Sequence, residues 1–182
     1  MMELDKINSL VELFFKKYTE QNFDTNKFFL KCLKNNNKDF LTWKQVENKI
    51  SFLTDFFKKN ISSGDRCILL SENRPEWLIT DLSIMNAGGV TVPLFTTYSE
   101  GDYEYIIKDC KPKICIISDE LQFNKIKKFI SKEIKIISIE NFSKNIESLE
   151  NILEKYSDNY SNFLLPDPSF NKELSRKDLA CI

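Results

Sequence analysis

The segment RCILLSENRPEWLITDLSIMNAGGVTV, residues 66–92, decides the fold of this chain. Arg66 to Leu70 includes an unbroken apolar run, which predicts a short strand that is buried on both faces, as in a parallel sheet. Asn73 stands where its side chain can accept a hydrogen bond from the first free N–H groups of a helix, and Pro75 suits the first helical turn. The segment therefore predicts a strand that leads directly into a helix.

The same helix is predicted to end at Gly88 and Gly89, and Val90 to Val92 predict a second strand that Pro93 stops. A glycine pair also suits a backbone that cradles a phosphate. A helix C-cap followed by a tight entry into a strand explains this pair without a ligand. We therefore interpret both glycines as structural and expect a strand–helix–strand unit.

The alternation of strands and helices continues beyond Pro93. Ser99 is predicted to cap a helix, Lys113 to Ile117 and Ile134 to Ile139 predict strands, and a lysine-rich amphipathic helix is expected from Leu121 to Ile130. Its lysines are interpreted as a solvated outer face. Alternation at this length requires crossover connections. The sequence thus predicts an α/β fold, with an incomplete doubly wound, mainly parallel sheet and flanking helices.

The N-terminal third predicts two helices and a pair of short strands. The first helix is expected from Leu10 to Gln21, with an apolar stripe made of Leu10, Leu13, Phe14 and Tyr18. Phe28 to Leu33 and Asp39 to Leu41 predict two strands joined by the Asn-rich turn at 34–38. Thr42 begins a capping box for the second helix.

The C-terminal part gives weaker signals. A helix is expected around Ile146 to Tyr156, followed by a polar surface excursion at 157–177. The apolar run from Asp178 to Ile182 reads as the beginning of a strand. Residues 1–182 are interpreted as part of one domain whose C-terminal remainder is absent.

Composition excludes several classes of function. The chain has no histidine, which removes Ser-His and Cys-His nucleophile pairs and imidazole metal sites. Its glycines form neither a Walker loop nor a dinucleotide-binding loop. Lysine and arginine number 26 against 27 acidic residues, with both signs interspersed, so no nucleic-acid partner is predicted.

The cysteines and the hydropathy pattern indicate a cytoplasmic protein. The five cysteines include no C-x-x-C pair and are interpreted as small buried hydrophobic residues in a reducing compartment. No apolar stretch is long enough to span a bilayer, and the N-terminus lacks the pattern of a signal peptide. Peripheral contact with a membrane remains open.

Candidate ligand contacts lie beyond the carboxyl ends of the predicted strands, where open parallel sheets bind their ligands. Asn73 and Arg74 could contact an anion at a helix N-terminus, or serve only as a cap and a surface cation. Thr96, Thr97 and Tyr98 could line a substrate channel, or form an ordinary polar loop before Ser99. We take these five residues, Asn73, Arg74, Thr96, Thr97 and Tyr98, as the candidate substrate-lining set. No residue is predicted to be catalytic and none to bind a metal.

Read continuously, LTWKQVENKI at 41–50, SSGDRCILLSENRPEW at 62–77, DLSIMNAGGVTVPLFTTYS at 81–99 and YIIKDCKPKICIIS at 105–118 resemble the N-terminal region of the AMP-forming acyl-CoA synthetases. The strings at 72–77 and 90–99 look most like the long-chain fatty acid branch of this adenylate-forming superfamily. The resemblance extends from about Ser9 to Ile182 and is weakest over 140–177.

The resemblance implies a ligase that uses ATP, Mg²⁺ and CoA. A carboxylate attacks the α-phosphate of ATP to give an acyl-adenylate and pyrophosphate, and the CoA thiol then displaces AMP. In the family, a Ser/Thr/Gly-rich loop with a lysine follows a strand similar to DLACI, residues 178–182, and the other catalytic motifs come later. The chain is therefore expected to bind no cofactor tightly and to be inactive alone.

Two other interpretations stay open at this stage. The adenylation chemistry could serve another carboxylic acid, such as an aryl or amino acid. Alternatively, the chain could be a non-catalytic, degenerate module that binds a partner through the edge where a further part of the domain would pack.

Overall fold

The computed structural model describes residues 7–32, 39–160, 171 and 173–180, with only the backbone at residues 39 and 156–160. In chain order the elements are α1 (Leu10–Tyr18), β1 (Phe28–Cys32), β2 (Asp39–Thr42), α2 (Trp43–Asn60), β3 (Arg66–Leu70), α3 (Pro75–Asn86), β4 (Val90–Leu94), α4 (Glu100–Cys110), β5 (Ile114–Ile117), α5 (Glu120–Ile126), a short 3₁₀ helix (Lys127–Phe129), β6 (Lys135–Ser138), β7 (Glu147–Ser148) and α6 (Leu149–Tyr160). None of the helices in these ranges is long and apolar enough to cross a membrane.

The main sheet has five parallel strands in the order β4-β3-β5-β6-β7. At its centre Ile68 pairs with Val92 on one side and with Cys115 on the other, and Cys115 pairs with Ile136. The side chains of β5 are all buried, because a central parallel strand is covered on both faces. The predicted strand–helix–strand units and the parallel sheet are confirmed.

Two apolar cores lie on opposite faces of this sheet. One face buries residues of α1, α2, α3 and α6 together with Leu69 and Ile116, and the other buries residues of α4 and α5 together with Ile68 and Ile117. Successive strand residues point to opposite faces, so each apolar run supplies both cores. The fold is the predicted doubly wound α/β arrangement.

The start of α3 differs from the prediction. Arg74, and not Asn73, is the N-cap residue, and no side chain caps the helix by a hydrogen bond. Asn73 is exposed in the preceding loop. Pro75 occupies the first helical turn as predicted, and it removes one N–H group that would otherwise need a cap.

The prediction that Pro93 stops the second strand is wrong, because β4 continues to Leu94. Pro93 pairs with Leu69 in register within the parallel ladder. β4 is the edge strand of the five, and proline is tolerated on an edge where its missing N–H faces away from the ladder.

The buried face of α1 is shifted by one residue from the predicted apolar stripe. Leu10 is 61% exposed, whereas Val11 and Phe15 are fully buried together with the predicted Phe14. The helix begins as predicted, with Ser9 accepting a hydrogen bond from the N–H of Glu12 at 3.0 Å, but it ends at Tyr18.

The predicted hairpin and the second helix are observed. β1 and β2 pair antiparallel, and Thr42 and Gln45 form the predicted capping box of α2. The predicted turn at 34–38 and Leu33 lie outside the described residues.

In the C-terminal part, β7 occupies the start of the predicted helix, which begins only at Leu149 and continues to Tyr160. The surface excursion predicted at 157–177 thus begins inside α6, and residues 161–170 and 172 lie outside the described residues. Asp178 to Ala180 return to the sheet, because the N–H of Thr91 on β4 donates to the carbonyl oxygen of Ala180 at 3.0 Å.

Three cysteines are confirmed as buried hydrophobic residues: Cys67, Cys110 and Cys115 are buried free thiols, while Cys32 is half-buried. Burial raises the pKa of the Cys67 thiol to about 12, and the charge of Asp65 adds to the effect. Such a thiol remains protonated and unreactive at neutral pH.

Candidate functional site

The loops that follow β4, β3, β5 and β6 begin at one level along the carboxyl edge of the sheet. The ladder continues past the strand ends, since the N–H of Ser118 donates to the carbonyl of Leu70 at 3.0 Å and the N–H of Glu140 donates to the carbonyl of Ser118 at 2.9 Å. Parallel strands place these loops side by side, as expected for a ligand-binding edge. The candidate residues therefore lie on neighbouring loops.

A chain of side-chain hydrogen bonds connects the loops after β4 and β3. The ammonium of Lys125 on α5 donates to the carbonyl oxygen of Thr96 at 2.7 Å and to Oε1 of Gln122 at 2.8 Å. The amide of Gln122 in turn donates to Oε1 of Glu72 at 2.8 Å. Asp119 accepts from the N–H of Gln122 at 2.9 Å and so caps α5. The network fixes the start of α5 between the two loops.

Arg74 forms the second connection, from the loop after β3 to the loop after β6. Its Nε donates to Glu76 at 2.9 Å and its Nη1 donates to Glu140 at 2.9 Å. The Arg74 side chain is only 18% exposed, against 41% for Glu76 and 40% for Glu140. Burial alone would lower the pKa of Arg74, but the hydrogen bonds and charges of the two carboxylates outweigh it and raise that pKa above its usual value. Arg74 is a charged clamp between two loops.

This clamp stands on the rim of a cavity of about 750 Å³ between α2, α3 and α6. Its apolar wall includes Phe52, Leu53, Ile79, Ile139, Leu149 and Leu153. Its charged rim includes Arg74, Glu76, Glu140, Glu150, Glu154 and Lys49, so carboxylates outnumber cations there.

The candidate residues after β4 lie on the other face of the sheet. Tyr98 is half-buried against the second core, with its ring centroid 5.3 Å from that of Phe95 and 6.1 Å from that of Tyr103. The hydroxyl of Tyr103 donates to the carbonyl of Phe95 at 2.8 Å, which holds the loop. Thr97 is exposed and Thr96 half-buried.

The five candidate residues thus form two groups. Arg74 faces Glu140 and the cavity above α2, and that cavity is lined by none of Thr96, Thr97 and Tyr98. Asn73 is exposed between the groups. The structure brings the loops together at one edge without placing all five side chains around one cavity.

The described part of this edge does not fit a triphosphate. Two of its cations, Arg74 and Lys125, already donate to carboxylates, a carbonyl and an amide. A polyanion would also meet the carboxylates of Glu72, Glu76 and Glu140, which repel it. The described ranges contain no cluster of three or more Cys, Asp or Glu side chains suited to a metal ion.

Comparison with known proteins decides the family. A family model described as AMP-binding enzyme matches residues 20–182. This chain belongs to the AMP-binding enzyme family.

Curated relatives of this AMP-binding chain include the long-chain-fatty-acid–CoA ligase ACSBG1 of Rattus norvegicus, 29% identical over 73 residues that cover 40% of the chain and 10% of the relative. The long-chain-fatty-acid–CoA ligase FadD15 of Mycobacterium bovis is 37% identical over 49 residues, which cover 27% of the chain and 8% of that relative. The matched segments are therefore small parts of these proteins.

Solved structures share the fold over almost the whole AMP-binding chain. The anthranilate CoA ligase AuaEII, in complex with anthranoyl-AMP, aligns with a TM-score of 0.74 and 18% identity over 99% of this chain and 33% of its own. ATP-bound MatB from Rhodopseudomonas palustris aligns with a TM-score of 0.66 and 19% identity over 92% of this chain and 31% of its own. The chain spans about a third of these structures, and at this identity the likeness concerns the fold alone.

Sequence reasoning missed the residues that tie the edge together. The lysines of α5 were interpreted as a solvated face, but Lys125 is half-buried and bonded to Thr96. Glu72 and Glu140 gave no signal, because their partners Gln122 and Arg74 are 50 and 66 residues away. Only the helix-starting position of Asp119 could have been recognised in advance.

The glycine pair in this AMP-binding chain has the structural role that was predicted. Gly88 adopts φ +87, where a side chain would be strained. A Cβ on Gly89 would lie 2.7 Å from Cδ1 of Ile61 and 2.9 Å from Cγ2 of Ile84. The pair faces a second cavity of about 910 Å³ between the start of α1, the α3–β4 turn and residues 171 and 173–180, away from the carboxyl edge.

Proposed function

We propose that this chain is the N-terminal part of an acyl-CoA ligase that joins a long-chain fatty acid to CoA at the expense of ATP. The observation that carries the proposal is the family match over residues 20–182, together with curated relatives that are long-chain-fatty-acid–CoA ligases. The resemblance of the strings at 72–77 and 90–99 to the same branch supports it. Residues 1–182 would form one part of an AMP-binding domain.

Within this proposal the chain supplies the sheet and one wall of the acyl site. Thr96, Thr97 and Tyr98 line the path of the acid, and Asn73 and Arg74 belong to the neighbouring loop, which faces the cavity above α2. The aromatic contacts of Tyr98 support an apolar wall at this point. Arg74 acts mainly by holding the loops after β3 and β6 in place, since its Nε and Nη1 already donate to Glu76 and Glu140.

The nucleotide, Mg²⁺ and CoA would be held by residues outside this set. The existing hydrogen bonds of Arg74 and Lys125 and the surplus of carboxylates at the described edge support that assignment. The chain by itself is accordingly proposed to turn over no ATP. A cytoplasmic location and the absence of a nucleic-acid partner also belong to the proposal.

Acid-dependent release of pyrophosphate tests the proposal. The protein that includes the complete AMP-binding domain should release pyrophosphate with palmitate and dodecanoate, and less with benzoate or free amino acids. The 182-residue chain alone should release none. Turnover only with aryl or amino acids would show that the substrate is another carboxylic acid and not a fatty acid. No turnover with any acid would favour a non-catalytic interaction module.

A matched pair of tyrosine variants tests the acyl wall. Tyr98→Ala should lower kcat/KM for palmitate about tenfold, because roughly 1.4 kcal/mol of apolar contact is lost. Tyr105→Ala is the control, because Tyr105 is 70% exposed on α4 and faces water. Equal effects of the two variants would contradict the placement of Tyr98 on the acyl path.

A further inference from the structure

The outer face of the hairpin formed by β1 and β2, here called the aromatic hairpin, carries large apolar side chains in contact with water. Phe28 is 68% exposed and Phe40 is 36% exposed. The inner face is already packed, since Phe29, Leu30 and Leu41 lie against the core. An antiparallel pair with one packed face normally presents polar residues on the other. The aromatic hairpin breaks this rule.

The two exposed rings form one local surface. Their centroids are 4.7 Å apart with an interplanar angle of 31°. The ammonium of Lys31 stands 5.4 Å from the centroid of Phe40. The rings therefore contact each other and a cation, and together they form an apolar patch with a positive charge beside it. Such a pairing of aromatic and cationic groups is typical of surfaces that meet the interface of a lipid bilayer.

The charge around this patch differs in sign from the charge of the whole chain. Among the residues of this region whose side chains the structure describes, Lys27, Lys31 and Lys44 are cationic and Asp24 is anionic, whereas the whole chain carries a net charge of −1. Lys27, Lys31 and Lys44 are all exposed. The backbones of Lys27 and Lys44 lie close to each other next to the two strands, because the N–H of Trp43 donates to the carbonyl of Lys27 at 3.1 Å and the N–H of Lys44 donates to the carbonyl of Thr25 at 2.9 Å. The hairpin is thus a basic region of an otherwise acidic chain.

We propose that the aromatic hairpin docks this protein on an anionic lipid bilayer. Phe28 and Phe40 enter the boundary between headgroups and acyl chains, and Lys27, Lys31 and Lys44 meet the headgroup phosphates. Each basic residue close to an anionic membrane contributes about fivefold to the partition constant. The core contacts of Phe29 and Trp43 remain in place, so docking needs no rearrangement of the fold.

The geometry favours a bilayer over a single-stranded nucleic acid. Bases stack on free aromatic faces. In the aromatic hairpin each ring is packed on the other, and Lys31 stands over Phe40. Insertion of Phe28 and Phe40 among lipid chains requires no particular ring face.

Sedimentation of the chain with vesicles tests the proposal. We expect binding to vesicles of phosphatidylcholine mixed with phosphatidylserine, weak binding to phosphatidylcholine alone, and a steep loss with added salt, because salt screens exposed charges. Phe28→Ala with Phe40→Ala should lower the partition constant about tenfold or more. Changing Lys27, Lys31 and Lys44 to Gln should lower it roughly a hundredfold.

Matched controls separate the site from general effects of surface and charge. Phe95→Ala removes a phenylalanine with the same 68% exposure, and it should leave vesicle binding unchanged. Changing the exposed Lys58, Lys132 and Lys144 to Gln alters the net charge equally and should have a much smaller effect. Fluorescence of Trp43, which stacks on Phe29 at 3.9 Å, and of Trp77 reports whether each variant is folded.

Phe28→Trp keeps the aromatic character and adds a direct reading of insertion. The emission added by the introduced indole, taken as the difference from the unaltered chain with its Trp43 and Trp77, should shift to the blue on anionic vesicles and be quenched by brominated lipid. Absence of binding by the unaltered chain, equal losses in the control variants, or an introduced indole whose emission does not shift would overturn the proposal. Binding of an oligouridylate in place of the vesicles, lost in the same lysine variant, would overturn it in favour of a nucleic-acid surface.

Discussion

Replacing Gly89 by alanine gives a sharp test of how the α3–β4 turn is built. The new Cβ would lie 2.7 Å from Cδ1 of Ile61 and 2.9 Å from Cγ2 of Ile84. Ile84 is fully buried and Ile61 is 9% exposed, so neither side chain can move aside into water. Forcing a methyl group into such a packed region costs about 1–3 kcal/mol.

The structure also provides a rescue and a control for this change. Ile61→Val removes Cδ1, the atom closest to the new methyl group. Alone it should cost about 0.5–1.5 kcal/mol, but in the Gly89→Ala background it should cost nothing or restore stability. Gly64→Ala is the control, because Gly64 has φ +81 with no neighbouring atom within 4 Å. Its cost of about 1–2 kcal/mol comes from the backbone and should be indifferent to Ile61→Val.

Urea unfolding measures these free energies. With a slope of about 2 kcal/mol per molar urea, Gly89→Ala should lower the midpoint by about 0.5–1.5 M at an unchanged slope. Independent costs of Gly89→Ala and Ile61→Val would refute the steric explanation. If Gly89→Ala kept full stability but abolished turnover in the complete protein, the rejected interpretation of the glycine pair as a phosphate cradle would regain support.

Two further predictions concern buried or half-buried charges. Burial raises the pKa of the Glu47 carboxyl above 4.5, and a hydrogen bond from Ser51 opposes this only in part. The native state therefore holds its proton more tightly than the unfolded chain, so stability is lost as pH rises from about 4.5 through the raised pKa. As pH rises, the free energy of unfolding of Glu47→Gln should therefore increase relative to that of the unaltered chain. A difference between the two free energies that does not change with pH would contradict this. Arg74→Met should cost about 1–2 kcal/mol, and Glu140→Gln should cost less in that background than in the unaltered chain; additive losses in urea would show that the pair is not coupled.

The sequence was sufficient at most of the positions where structure is decided by neighbouring residues. Thr42 and Ser99 each form a capping box within three residues, and both were recognised as helix starts. The apolar runs of β3 and β5 were recognised because a strand covered on both faces has no polar positions. These local signals fixed the order of the elements, and crossover rules then gave the parallel sheet.

The same reasoning failed where distant residues decide. The spacing of apolar residues in α1 is compatible with two neighbouring apolar faces of the helix. Only its packing against α2 and α3 buries Val11 and Phe15 in place of Leu10. The clamp between Arg74 and Glu140 depends on strand order, which places the loops after β3 and β6 within reach across β5. Nothing in the spacing of the two residues indicates the contact.

Pro93, which was wrongly predicted to end β4, has a structural role at the outer edge of the sheet. Along a strand, successive N–H groups point to alternate sides. Because the N–H of Val90 donates to Asp65 and that of Thr91 donates to Ala180, position 93 also faces the outer edge. Proline there removes the next donor, so any segment lying beside β4 accepts a hydrogen bond at Thr91 and none at Pro93. Unpaired edges invite association with other chains, and a proline at this position weakens such pairing while leaving the inner ladder intact.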